Sequence, residues 1–306
     1  MTRLVSILAL WTVGLCATTA CSHVPSDPPA DAAYRAEIAE WQRKHAIGMK
    51  RDWGSLIGLF WLQEGKNPFG SDPGNAIVLP RDRAPAHAGV FELTAGKVTV
   101  RTEPRAGFTL NGVSPGAGKP IEAALAPDTS EKPDVLKAGT LTLTVLDREG
   151  RFAIRGSDSE SPLLASFPEL KFFPVRERYK ARGKLVRSAQ PIKITFPSVN
   201  MANGQTESSP GYVEFELEGK RLRLLPTVEG ERLFFVFKDL TGERHQTYPA
   251  ARFLYATPDA SGEMVLDFNR SYNPPCAFTA YATCPLATPE NTLPVAIEAG
   301  EMFTGH

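Results

Sequence analysis

Residues 267–301, DFNRSYNPPCAFTAYATCPLATPENTLPVAIEAGE, gather Asp267, Asn269, Asn273, Cys276, Cys284 and Asn291 around the rigid Pro274-Pro275 pair in one turn-rich stretch. A carboxylate in such a place can act as general base or orient an attacking water, and neighbouring amides can position a polar substrate. On an extended chain Asp267 and Asn269 share one face. Just upstream, TYPAARFLY sets Tyr248 and Arg252 before an apolar run. A guanidinium there either neutralises a buried carboxylate, with Asp267 the expected partner, or grips an anionic group bidentately. These residue types predict a polar small-ligand or hydrolytic pocket. Asp267, Arg252 and Asn269 would carry the chemistry, and Asn273, Tyr248, Asn291 and Trp53 would hold the ligand. The competing reading is structural, since Asn beside Pro commonly closes a loop through an Asx turn.

Cys276 and Cys284 enclose AFTAYAT. In an oxidising compartment they form a disulfide; otherwise they are a thiol pair, with Cys276 a nucleophile and His245 its base. No Cys-x-x-Cys spacing is present, so no metal ligand set is assigned and no cofactor is expected, with zinc left open. Of five histidines, His23 lies near the start and His306 is terminal, which leaves His45, His87 and His245. The sequence has no Gly-x-Ser-x-Gly elbow, phosphate loop, dinucleotide fingerprint or His-Glu-x-x-His. An enzyme built from what remains would be a hydrolase assembled from distant residues.

The amino terminus reads as a leader over residues 1–21. Arg3 is followed by an apolar run at 4–15 and small residues up to Ala20. Thr18-Thr19-Ala20-Cys21 resembles a lipoprotein cleavage box, which makes Cys21 the expected site of lipidation. Residues 22–33 would be a flexible tether holding the protein off a membrane. The expected location is therefore the cell envelope, lipid-anchored, or outside the cell if Cys21 is not acylated. Lysine plus arginine equal aspartate plus glutamate at 34 each, so no overall field favours nucleic acid.

The elements that must position these side chains are mostly strands. Tyr34, Ile38, Trp41 and His45 fall on one helical face, predicting a helix over residues 34–49. LIGLFWL follows as a buried strand, and short alternating runs divided by Gly, Pro and Asn turns continue to Gly118. Residues 121–137 read as a linker. A second, all-β domain then covers 136–306, opening with a hairpin from TLTLTVLD to RFAIR. Further strands are expected at 192–196, 212–217, 221–225, 233–237 and 264–268. The predicted fold class is mainly β: an N-terminal helix and a sandwich (34–120) packed on a carboxy-terminal antiparallel meander or barrel.

FGSDPGNAIVLP, APAHAGVF and LNG resemble the turn signals of the forkhead-associated domain, with His87, Asn111 and Gly112 at matching positions. Ser71 stands where that family places its phosphate-reading arginine, and Ala84 where it places a serine. The resemblance therefore implies a β-sandwich without phosphopeptide recognition. DWGSLIGLFWLQEGKNPFGSD, AGVFEL, FAIRGSD, TYPAARFLY and residues 267–301 together resemble the family catalogued as domain of unknown function 1684. That resemblance implies a sandwich and meander packed as one unit. Two functions remain: an envelope lipoprotein with a small anionic or polar ligand or a hydrolytic reaction, or a non-enzymatic scaffold whose sandwich meets another envelope protein.

Overall fold

The computed structural model describes residues 30–304. The expected leader, Cys21 and most of the expected tether lie outside the described residues. Helix α1 runs Ala32–Trp53 and is capped by Asp31, whose Oδ1 accepts from the backbone N–H groups of Ala33 and Tyr34. It overruns the predicted end at 49 because no breaker intervenes before Gly54, and Lys50 and Arg51 suit the negative end of the helix dipole. Only Tyr34, Ile38 and Met49 are buried along it, so most of the helix lies on the surface.

Ten strands follow: β1 (Leu56–Trp61), β2 (Gly65–Gly70), β3 (Ile77–Val78), β4 (Gly89–Thr94), β5 (Lys97–Thr102), β6 (Thr109–Leu110), β7 (Glu122–Ala124), β8 (Val135–Ala138), β9 (Leu141–Arg148) and β10 (Arg151–Asp158). They form two five-stranded sheets, ordered β3-β2-β4-β5-β7 and β1-β10-β9-β8-β6. Both sheets contribute to one core, where Phe69, Phe91 and Phe108 meet Leu141, Leu143 and Ile154. Burying each such side chain stabilises the fold by roughly 1.5–3 kcal/mol. Strand β5 shows the period at work: Val98, Val100 and Thr102 point inward while Lys97, Thr99 and Arg101 face solvent.

Two sequence-based boundaries are corrected here. The predicted linker contains β7 and β8, and the hairpin β9–β10 completes the sandwich instead of opening a second domain. The reason is that β10 pairs with β1, placing the run after α1 beside residues about a hundred positions later. Local alternation identifies such strands but not the sheet they join.

The carboxy-terminal body comprises α2 (Pro162–Ser166), β11 (Lys171–Phe172), β12 (Lys180–Ser198), β13 (Met201–Leu217), β14 (Lys220–Leu224), β15 (Thr227–Glu229), β16 (Arg232–Phe237), α3 (Leu240–Glu243), β17 (Arg252–Ala256), β18 (Glu263–Asp267) and β19 (Glu301–Met302). One sheet is ordered β14-β13-β12-β18 and another β15-β16-β17, while β11 pairs with β19. Between them lies a core of Val213, Phe215, Phe235, Phe237, Leu266 and Phe268. A second cluster holds Phe196, Val236, Phe253, Ala282 and Cys284, with Trp53 and Tyr272 packed against it. Trp53 thus brings the end of α1 to the stretch that follows β18.

Candidate functional site

Arg252, at the start of β17, is fully buried. Its Nη1 donates to Asp239 Oδ2 at 2.6 Å and to the Ile297 carbonyl at 3.0 Å, while Nη2 donates to Ser271 Oγ and the Ala299 carbonyl. The other oxygen of Asp239 accepts from the Thr241 amide and hydroxyl. The expected Arg252–Asp267 pair is therefore corrected to Arg252–Asp239. An anion-gripping role for Arg252 goes with it, because both terminal nitrogens are engaged inside the protein.

Asp267 instead joins the body to α1. Its Oδ1 accepts from the Tyr34 hydroxyl at 2.7 Å and from the Asn269 amide N–H, and its Oδ2 accepts from Arg270 Nε. Asn269 accepts from the Arg176 N–H at 3.0 Å and donates to the Arg176 carbonyl and the Tyr34 hydroxyl. These two residues do share a locality, as alternation implied, but their polar atoms clasp the helix and are not presented to a cleft. Asn291 is likewise structural, bonding Leu225 through N–H and C=O and reaching the Val236 carbonyl from the buried interior.

Asn273 leads to a different constellation. Its Oδ1 accepts from the Tyr248 N–H, and its Nδ2 donates to Met302 O and to Glu301 Oε1, the latter at 3.1 Å. Glu301 is fully buried, and its Oε2 lies 3.0 Å from His45 Nε2. Gly300 makes this delivery possible: its φ is +74°, and a Cβ there would stand 2.3 Å from the Ser271 carbonyl. From that turn Glu301 donates its N–H to Ser271 O and enters β19. The His45 ring stacks on Trp41 with centroids 5.1 Å apart and meets Tyr272 at 4.7 Å. A carboxylate only accepts, so this contact favours the tautomer in which Nε2 donates and a neutral ring keeps its lone pair on Nδ1. His45 lines a cleft of about 340 Å³ together with Asp52, Trp53, Tyr255, Tyr272 and Pro275.

A larger cleft of about 500 Å³, also bordered by Trp53, opens where the sandwich meets the carboxy-terminal body. Arg148, Arg155, Thr283 and Cys284 line it along with Pro275. The expected meeting of Trp53 with the 267–301 stretch therefore occurs, through Pro275, Thr283 and Cys284 and not through Arg252 or Asp267.

Cys276 and Cys284 are thiols in this structure, and the Cys276 N–H donates to Cys284 Sγ at 3.3 Å. Hydrogen bonds from the Cys284 thiol and then the Tyr248 hydroxyl hold Cys276 below the ordinary thiol range, while the same bond and burial push Cys284 well above it. Burial, followed by the Cys276 charge, raises the Tyr248 phenol to about 12. Tyr248 is thus the neighbour of Cys276. His245, the base expected from sequence, sits exposed in a turn at φ +55°. Among the described residues no three His, Cys, Asp or Glu side chains form a metal-binding group.

Sequence reasoning missed Glu301 and Arg155 as site residues and named His45 only as a histidine worth considering. The available signal was His45 on the same helical face as Tyr34, Ile38 and Trp41. Its partner lies 256 positions away, beyond any local pattern.

No curated protein matches the chain. Among solved structures it is similar to the solution NMR structure of an uncharacterized protein from Haloarcula marismortui, at 27% identity and a TM-score of 0.37, covering 45% of this chain and 78% of that one. Residues 165–302, which hold Arg252, both cysteines and Glu301, match the family model described as Protein of unknown function (DUF1684).

Proposed function

We propose that the protein is an envelope lipoprotein, anchored through Cys21, with a polar small-ligand or hydrolytic site at the cleft where His45 and Trp53 meet Tyr272 and Pro275. The observation that carries this reading is the fully buried Glu301 carboxylate, 3.0 Å from His45 Nε2 on the cleft wall. A carboxylate so placed fixes the tautomer of the ring, aims it, and stabilises the imidazolium formed when Nδ1 takes a proton from water or a substrate hydroxyl. Asn273 holds the second carboxylate oxygen, and Trp41 limits the ring to one plane. Asp267, Arg252 and Asn269 contribute by fixing α1 and the loop before Glu301.

The test is turnover of a panel of chromogenic esters, phosphodiesters and glycosides by the purified chain and its variants. His45→Gln is expected to lower kcat by roughly 100- to 10,000-fold, the usual worth of a general base, with Glu301→Gln following the same direction. Asp267→Asn is expected to keep most of the activity. Turnover that survives His45→Gln but is lost in Asp267→Asn would return the chemistry to the carboxylate singled out from sequence. Anchoring is checked separately, by loss of metabolic palmitate labelling in Cys21→Ala.

A further inference from the structure

We propose that the larger cleft contains a binding subsite for the oxyanion group of a small monoanionic ligand, a carboxylate or a phosphodiester, seated on the Arg155 guanidinium. The inference starts from a contrast between two arginines on adjacent strands. Arg148, at the end of β9, donates from Nη1 and Nη2 to Asp128, from Nη1 to the Asp147 carbonyl, and from Nε to Thr283 Oγ1. Arg155, on β10, has a buried Nε with no hydrogen-bond partner among the described residues. Asp128, the acid whose charge acts on it, already forms a bidentate pair with Arg148.

What Arg155 does have is an aromatic wall. Its guanidinium carbon lies 5.4 Å from the centroid of Trp53, a contact that covers a face of the group but uses none of its N–H donors. Burial, and then the charge of Arg148, hold its pKa below the ordinary arginine value, yet an arginine stays protonated in proteins. The Nε is enclosed, but the terminal nitrogens of this half-buried cation form no hydrogen bond with the described residues, and on the cleft wall their N–H groups match the planar, two-point geometry of an oxyanion. Met201, Phe253 and Pro285 add apolar surface, and about 500 Å³ is the size of a small-molecule site.

The rest of the lining narrows the ligand. Glu149 and Glu207 also border the cleft, and Glu149 is held there by accepting from the Thr206 N–H at 2.7 Å. Burial, then the charges of Glu229 and Glu149, raise the Glu207 carboxyl above its ordinary value, which marks this group of acids as self-repelling. A polyanion would meet that repulsion. A ligand with one anionic group on Arg155 and a neutral or cationic remainder would not. The proposal stands apart from the role of His45, although the two clefts share Trp53.

The experiment is an NMR titration of the full chain in detergent at constant ionic strength. It follows the Arg155 Nε–H resonance, assigned by its loss in Arg155→Met, and the indole N–H of Trp53. Acetate, dimethyl phosphate and sulfate are the probes. The expected result is a saturable shift of both resonances with acetate or dimethyl phosphate, and weaker binding of sulfate. The probe that saturates at lower concentration identifies the oxyanion. By the Trp53 signal, Arg155→Met should weaken that binding by ~10- to 100-fold, as expected for losing a charge-assisted hydrogen bond. Arg155→Lys, which keeps the charge but not the fork, should fall between them. Shifts that stay linear for every probe, sulfate binding as tightly as the monoanions, or binding unchanged in both Arg155 variants would overturn the proposal.

Discussion

Two regions of the molecule are built from similar residues and end in opposite conditions. Around Arg252 and Asp239, an arginine and a carboxylate are fully buried and both terminal nitrogens of the guanidinium have partners. Around Trp53, a histidine is aimed by a buried carboxylate beside one cleft, and an arginine whose terminal nitrogens form no hydrogen bond with the described residues borders the next. The first arrangement spends its terminal donors inside the fold and encloses its one unpartnered nitrogen, Arg252 Nε, whereas the second sets His45 and Arg155 on cleft walls. Polarity alone does not mark a site; what marks it is polar capacity that the protein has not used on itself.

The comparison breaks first at Asp239. Asp239→Ala leaves Arg252 charged and unpaired inside the core and should cost about 3–5 kcal/mol, read from urea denaturation. A loss below about 1 kcal/mol would mean the pair is not the internal clasp described here. A smaller effect is expected where α1 meets the body. Tyr34→Phe removes the hydroxyl that donates to Asp267 and accepts from Asn269, a loss of about 1–2 kcal/mol. Because the contact is local, amide exchange in α1 should accelerate more than exchange in β16 and β17.

The smallest effect on stability, and the sharpest on chemistry, concerns the cysteines. Hydrogen bonds from Cys284 and Tyr248 lower the Cys276 pKa, so the folded state favours the thiolate. That contribution is complete above the ordinary thiol pKa and is lost as the pH falls through the lowered value. Alkylation followed by mass spectrometry should label Cys276 at a pH where ordinary thiols are mostly protonated, and should reach Cys284 only on unfolding. Equal labelling of the two in the native protein would contradict the arrangement.

Much of the architecture could be read from local pattern. Alternation in TLTLTVLD and RFAIR identified β9 and β10, and the spacing of Tyr34, Ile38 and Trp41 identified α1. The pairing of β10 with β1, which sets where the sandwich ends, was not legible, since a strand's period says nothing about its neighbour. The site followed the same division. Asp267, Asn269, Asn273 and Asn291 drew attention by type and spacing, and three of the four close the structure by hydrogen bonds to backbone and to Tyr34. Asn273 alone leads onward, to Glu301 and so to His45. Trp53 was named for its place in an apolar run, and its place beside Pro275 on the walls of both clefts is a tertiary fact that no local window contains.

The most direct measurement is a long-range proton–nitrogen NMR spectrum of the His45 ring in the native protein and in Glu301→Gln. The account predicts that neutral His45 is held as the Nε2–H tautomer, with an unprotonated Nδ1, and that Glu301→Gln relaxes this preference toward a mixture. A native His45 that carries its proton on Nδ1, or a tautomer ratio indifferent to Glu301, would remove the aimed base from the cleft and contradict the account.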